Sequence, residues 1–326
     1  MTAPRADRPR LLVTRRHMPA VEERLARDYD AVRNPDDRQM TVDEVIGKAA
    51  GMDAVFVCSS EPLDAAAMAA LPDCVRAVMT LSVGTDHIDL AAAKARGIAV
   101  LSTPDVLTDA TAETATLLLL GAARRAHAAD LSLRAGEWRR FVPTGYIGKD
   151  VTGARLGIYG MGRIGRAIAR NARGLGMQIH YHNRSRLAPD LEAGATYHGN
   201  PQDLLAVSDF LMLAAPATPE TRGFLDADAI AALPDGAVVC NIGRGNLIVD
   251  EPLIAALQSG KLFAIGLDVY NGEPLRIDPR FFDMPNAFLL PHIGSATERS
   301  RTAMGMILLD GLDALLAGKP VTNRVV

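Results

Sequence analysis

Short apolar, β-rich runs alternate with helically spaced apolar positions along almost the whole chain. That alternation is the signature of βαβ units and parallel sheets. The first series predicts strands over Arg10–Thr14, Ala31–Arg33, Ala54–Cys58, Val75–Leu81 and Ala99–Leu101. Helices fall between them over Val21–Arg27, Val42–Ala50, Leu63–Leu71 and Leu90–Arg96, which makes one small doubly wound domain. A single long helix is expected over Thr108–Arg134, too long for an ordinary crossover and placed as a connector. The loop Gly136–Asp150 follows. A second βα series then has strands at Arg155–Tyr159, Gln178–His182, Ala195–His198, Phe210–Ala214, Ala237–Asn241, Ala264–Val269 and Ala287–Leu290. A closing helix runs over Thr297–Leu316. The fold class is therefore α/β, with two doubly wound parallel-sheet domains.

The length of 326 residues agrees with two domains. With 48% apolar and 22% charged residues the composition is that of an ordinary globular protein. A formal net charge of −3 supplies no basic field, so neither nucleic acid nor an anionic membrane is an expected partner. The first residues, Met1 to Arg10, carry charge without an apolar core behind it and read as neither a secretion signal nor an anchor. The apolar run Leu117–Leu120 is too short to span a bilayer. Cys58, Cys74 and Cys240 lack metal-type spacing and read as unpaired thiols of a reducing compartment, so the cytoplasm is the expected location.

Candidate chemistry begins at Gly160-Met161-Gly162-Arg163-Ile164-Gly165, which follows an apolar strand and opens a helix. In that context Gly160 permits the tight turn, Gly162 lets a pyrophosphate approach the backbone, and Gly165 lets helix and strand pack closely. The helix N-terminus then faces the phosphates. The next strand ends in His182-Asn183-Arg184-Ser185-Arg186, with no carboxylate for a ribose 2′-hydroxyl. Arg184, Ser185 and Arg186 instead suit a 2′-phosphate, so NADP(H) is the expected cofactor, with NAD(H) as the lesser one.

Three further segments sit at carboxyl ends of strands, where open α/β sheets place ligands. They are Cys240-Asn241-Ile242-Gly243-Arg244-Gly245, Gly266-Leu267-Asp268-Val269-Tyr270-Asn271-Gly272-Glu273-Pro274, and Leu290-Pro291-His292-Ile293-Gly294. Two earlier stretches complete an ordered set: Leu81-Ser82-Val83-Gly84-Thr85-Asp86-His87, and Thr103-Pro104-Asp105 running on to Thr111-Ala112-Glu113. With all of these in order along its whole length, the chain resembles the D-isomer-specific 2-hydroxyacid dehydrogenase family. Its likeness is strongest to the NADP-dependent glyoxylate/hydroxypyruvate reductase branch.

The resemblance implies reduction of small 2-keto acids to D-2-hydroxy acids by hydride transfer from a nicotinamide. It assigns Arg244 to the substrate carboxylate and keto oxygen, His292 to proton donation, and Glu273 to orienting the imidazole. Main-chain N–H groups at Val83 and Gly84 would share the carboxylate. Asp268 is placed by the nicotinamide and Thr111 near the phosphates, with Pro216, Ile242, Gly243 and Gly294 also on the cofactor. A flavodoxin-like substrate domain is expected at 1–103 plus 292–326, with a Rossmann cofactor domain at 104–291 and a substrate cleft between them. A homodimer through the cofactor domains, with contact near Thr111–Arg125, is implied too.

Other readings stay open. Phosphoglycerate or 2-ketogluconate are alternative substrates, and a non-enzymatic nicotinamide-sensing dimer is the alternative from another class. Glu273, where a formate dehydrogenase has Gln, argues against that relative. His180, His182 and His198 read as sheet positions rather than metal ligands, and no metal is expected. Asp86–Asp89 reads as a helix cap. Trp138, Phe141 and Tyr146 are divided equally between shaping the pocket and packing a dimer.

Overall fold

The computed structural model describes residues 8–326, so the reading of the N-terminus as neither signal nor anchor lies partly outside the described residues. The described chain forms two compact units, one running to Leu107 and including Ala296–Val326, the other Thr108–Ser295.

The first unit contains, in chain order, β1 (Arg10–Val13), α1 (Pro19–Asp28), β2 (Asp30–Val32), α2 (Val42–Lys48), β3 (Ala54–Val57), α3 (Ala65–Ala70), β4 (Ala77–Thr80), α4 (Leu90–Ala95) and β5 (Ala99–Leu101). Its five strands are all parallel, in the order β2-β1-β3-β4-β5, which is the flavodoxin-like winding. The central strands β3 and β4 are buried at every position, so they read as unbroken apolar runs rather than alternating ones. The helices start where short polar side chains cap them. Thr41 and Glu44 form a reciprocal capping box on α2, and Asp64 and Asp89 cap α3 and α4 through Ala67 N–H and Ala92 N–H. The 86–89 segment thus does end in a cap.

Behind β1, the His17 ring stacks on Phe56 of β3, with centroids 4.1 Å apart, and its Nε2 is buried without a partner. Burial, only partly opposed by the charges of Glu22 and Asp37, pushes its pKa down to about 4. Between that value and the free-imidazole range the unfolded chain binds the extra proton, so stability is full above about pH 6.5 and is lost as pH falls toward 4. A His17→Phe variant should therefore lose less of its thermal stability than wild type between pH 7 and pH 4.5 in calorimetry, by about 1–3 kcal/mol. Equal losses in both proteins would refute this.

The second unit opens with α5 (Thr108–Ala123) and α6 (Ala126–Arg134). The single helix expected over Thr108–Arg134 is thus broken. Arg125 adopts a left-handed conformation (φ 50°), and the following loop returns to cap α5, with Lys149 N–H donating to Ala123 O. Gly148 permits that return, since a Cβ there would stand 2.5 Å from Ala123 O. Neither constraint has a local sequence signal.

The remaining elements are β6 (Arg155–Tyr159), α7 (Arg163–Gly174), β7 (Gln178–His182), α8 (Pro189–Glu192), β8 (Thr196–Tyr197), α9 (Pro201–Val207), β9 (Phe210–Leu213), α10 (Ala227–Ala232), β10 (Ala237–Asn241), α11 (Asp250–Ser259), β11 (Leu262–Leu267) and β12 (Ala287–Leu289). The chain then returns to the first unit as α12 (Glu298–Leu316), capped by Thr297. The seven parallel strands run β12-β11-β10-β9-β6-β7-β8. The order reverses between β6 and β9, the switch point at which such sheets bind ligands. One face packs on α5 and α7, and the other on α9, α10 and α11. No helix among the described residues is long and apolar enough to cross a membrane.

Candidate active site

The glycine turn sits where β6 meets α7. Gly160 has φ +102°, and a Cβ there would lie 2.5 Å from Ala215 N; at Gly165 it would lie 2.3 Å from Gly160 O. The fold itself therefore demands both glycines. Gly162 differs. Its φ is ordinary (−75°), and nothing lies within 4 Å of where its Cβ would stand. Nothing in the protein needs glycine there, so the free space fits a group brought from outside. Gly162 also caps α7 without a side-chain hydrogen bond, which leaves first-turn N–H groups available to an anion. These residues fit a dinucleotide pyrophosphate.

At the end of β7, the Asn183 side chain accepts from Met161 N–H at 2.6 Å and so ties the β7 turn to the glycine turn. His182 stacks on Tyr159, which stacks in turn on Phe224. The two arginines nominated for a 2′-phosphate are not equivalent. Arg186 is engaged by both carboxylate oxygens of Glu192 at 2.8 and 3.0 Å, and Glu192 also accepts from Tyr181 OH. Arg184 and Ser185 are exposed and make no hydrogen bond or ion pair among the described residues, although Glu220 lies near enough to feel the Arg184 charge. Pro216 follows the β9 end, one residue beyond the Ala215 that packs on Gly160.

The ends of β10, β11 and β12 carry the remaining candidates. Asn241, fully buried, accepts from Gly243 N–H and donates to Arg244 O, which fixes the turn that presents Arg244. Sequence reasoning gave Asn241 no role, although an Asn two residues before a Gly, as in Asn241-Ile242-Gly243, is a recognisable turn former. Gly245 abuts the next strand end: a Cβ there would fall 2.0 Å from Tyr270 C. Beyond β11, Glu273 accepts from Tyr270 N–H through Oε2 at 2.9 Å and meets His292 Nδ1 through Oε1 at 2.6 Å. One carboxylate thus joins two strand ends and fixes the orientation of the ring, which leaves Nε2 to face other groups. His292 itself holds φ 52°, a sparsely populated conformation for a residue with a side chain.

Asp268 is 1% exposed and accepts from Ile293 N–H (2.7 Å) and Gly294 N–H (2.8 Å). Burial pushes its carboxyl up, opposed by those two N–H groups and by His292. The Gly294 Cα faces Asp268, Thr111 and Ile242 together, with its missing Cβ 3.1–3.5 Å from all three. The nominated residues Thr111, Ile242, Asp268 and Gly294 thus form one cluster.

In the first unit, the loop after β4 is shaped by Ser82, whose hydroxyl donates to Gly84 O at 2.7 Å. Thr80 Oγ1 lies 2.9 Å from Ser82 Oγ and 2.8 Å from His87 Nε2. Val83 and Gly84 N–H donate to no acceptor among the described residues. His180 Nδ1 lies 3.0 Å from His198 Nε2, and no cluster of three or more metal-type side chains exists among the described residues. Burial pushes the Cys240 thiol up to about 12, as expected of an inert one. The Thr111–Arg125 stretch is mostly committed to the core. Leu117 of that stretch is exposed, and further exposed apolar side chains lie on α6 and the loop after it, at Leu131, Leu133, Trp138, Phe141, Val142, Tyr146 and Ile147.

A doubly wound dinucleotide fold whose strand ends carry a hydrogen-bonded His–Glu pair defines a nicotinamide-dependent oxidoreductase. The comparisons narrow the class. The sequence profile of the D-isomer specific 2-hydroxyacid dehydrogenase NAD-binding domain matches residues 116–294. The glycerate dehydrogenase of Hyphomicrobium methylovorum is 41% identical over 314 residues, covering 96% of this chain and 97% of its own. Among solved structures, a D-isomer specific 2-hydroxyacid dehydrogenase of Polaromonas sp. is 49% identical with a TM-score of 0.92, over 98% of this chain and all of the other. The NADPH-dependent glyoxylate/hydroxypyruvate reductase of Sinorhizobium meliloti, solved with NADP and malonate, is 33% identical with a TM-score of 0.86, over 98% and 97%. The chain belongs to the D-isomer specific 2-hydroxyacid dehydrogenase family.

Proposed function

We propose that this chain reduces small 2-keto acids, glyoxylate and hydroxypyruvate first among them, to D-2-hydroxy acids with NADPH as the preferred donor. The observation that carries the reading is the 2.6 Å contact between His292 and Glu273, at the carboxyl edge of a dinucleotide-binding sheet. The glyoxylate/hydroxypyruvate reductase and glycerate dehydrogenase relatives support the substrate class.

The bound reduced nicotinamide supplies the hydride. Gly160–Gly165 and the α7 N-terminus hold its pyrophosphate, with Thr111, Pro216, Ile242, Gly243, Asp268 and Gly294 lining the rest. Arg244 binds the substrate carboxylate and polarises the keto oxygen, and Val83 and Gly84 offer main-chain N–H groups suited to a carboxylate. His292 gives a proton to the oxygen as negative charge develops there, while Glu273 holds the ring in position. Arg184 and Ser185 take the 2′-phosphate; NADH, lacking it, is used less well. Leu117 of the Thr111–Arg125 stretch, with the apolar side chains of α6 and its loop, forms the contact of a homodimer.

Two variants test the cofactor part. Gly162→Ala should leave the melting temperature unchanged, since its methyl meets nothing in the protein, yet raise the KM for NADPH about 10-fold or more by blocking phosphate approach. An unchanged KM would remove the pyrophosphate from this turn. Arg184→Ala should lower kcat/KM for NADPH by about 10- to 100-fold while sparing NADH. Equal losses with both cofactors would refute the 2′-phosphate role.

A further inference from the structure

The residues given to substrate and proton chemistry stand on different strand ends, so something must hold those ends in register. Glu273 ties the β11 end to the β12 end directly. Between the β10 turn, which carries Arg244, and the β11 end, which carries Glu273, two features supply the tie. Gly245 brings the backbones together, since its Cβ position lies 2.0 Å from Tyr270 C and 2.4 Å from Asn271 N. Asn271, two residues before Glu273, then reaches across with its amide, donating to Ile248 O at 3.0 Å and Asp250 Oδ1 at 2.8 Å.

We infer that Asn271 and Asp250 are positioning residues that hold the Arg244 turn at a fixed distance from Glu273. The inference rests on the substrate-binding role proposed for Arg244. Two observations favour this over a generic surface contact. The Asp250 carboxyl is half-buried, which pushes it up, and the Asn271 amide opposes that shift, so the bond satisfies a carboxylate partly withdrawn from water. The same amide also reaches the main chain at Ile248, four residues beyond Arg244, so it clamps the turn itself rather than only a side chain. A guanidinium that must meet a carboxylate in a defined geometry is sensitive to such a clamp, because a misplacement of about 1 Å can cost 100-fold in rate.

The test compares Asn271→Leu, Asp250→Asn and Arg244→Ala by steady-state kinetics, varying hydroxypyruvate and NADPH separately. Asn271→Leu removes the donor at similar volume and should raise the KM for hydroxypyruvate about 10-fold, with the KM for NADPH within about 2-fold of wild type. Asp250→Asn retains an acceptor oxygen and should stay within about 3-fold on both. If Asn271→Leu is insoluble, Asn271→Ala gives the same reading, since it removes the same donor from both Ile248 O and Asp250. A merely structural pair would lower the amount of active enzyme without moving the KM. An unchanged hydroxypyruvate KM in Asn271→Leu, alongside a raised one in Arg244→Ala, overturns the positioning role alone. An unchanged KM in Arg244→Ala overturns the proposed role of Arg244 and the inference with it.

Discussion

Replacing His292 with Ala should lower kcat for keto acid reduction by about 100- to 10,000-fold, the range spanned by loss of a positioned general acid. The expectation comes from geometry. The Nδ1 side of the ring is occupied by Glu273 at 2.6 Å, Glu273 is itself anchored on Tyr270 N–H, and the backbone of His292 is held at φ 52°. A ring so constrained has one nitrogen left to hand a proton on. The KM for NADPH should change little, because the pyrophosphate turn lies at the β6–α7 junction and shares no hydrogen bond with His292 among the described residues. Steady-state kinetics of purified His292→Ala, with circular dichroism to confirm folding, checks this. A kcat within a few-fold of wild type would remove His292 from the chemistry.

The second large effect is expected at Arg244. Arg244→Ala should cost about 3–4 kcal/mol in kcat/KM for a 2-keto acid, on the order of 100- to 1,000-fold, as for truncation of one partner of a desolvated charge pair. Most of the loss should appear in KM. Arg244→Lys should recover only part of it, because a point charge does not reproduce the planar two-pronged contact with a carboxylate. The turn should survive either change, since Asn241 and Gly245 hold its backbone besides the one bond that the guanidinium donates to Gly243 O at 2.8 Å. If Arg244→Lys matched wild type, the bidentate contact would be excluded.

Much of this was legible in the sequence, because its signals are local. Strands buried on both faces leave continuous apolar runs, and the parallel five- and seven-stranded sheets follow from their alternation with helices. The glycine turn was legible because Gly160 and Gly165 answer distinct steric demands of the fold, while Gly162 leaves open space for a group from outside. Glu273 and His292 were nominated from separate segments, and the structure places them in hydrogen-bond contact.

Through-space relations were not legible. The break at Arg125 depends on a loop returning from Lys149 to cap α5, a contact with no signal in the helix itself. The capture of Arg186 by Glu192 depends on α8, a four-residue helix too short for periodicity to reveal, and it leaves Arg184 the arginine there without an ion pair. The Asn271–Asp250 tie joins residues 21 positions apart through strand adjacency alone.

The central claim is tested most directly by the rate of loss of reduced-nicotinamide absorbance, with glyoxylate and hydroxypyruvate offered in parallel and NADPH and NADH as alternative donors. Turnover is expected on both acids, with kcat/KM for NADPH about 10-fold or more above that for NADH. No turnover on either acid, or a preference for NADH, would contradict it.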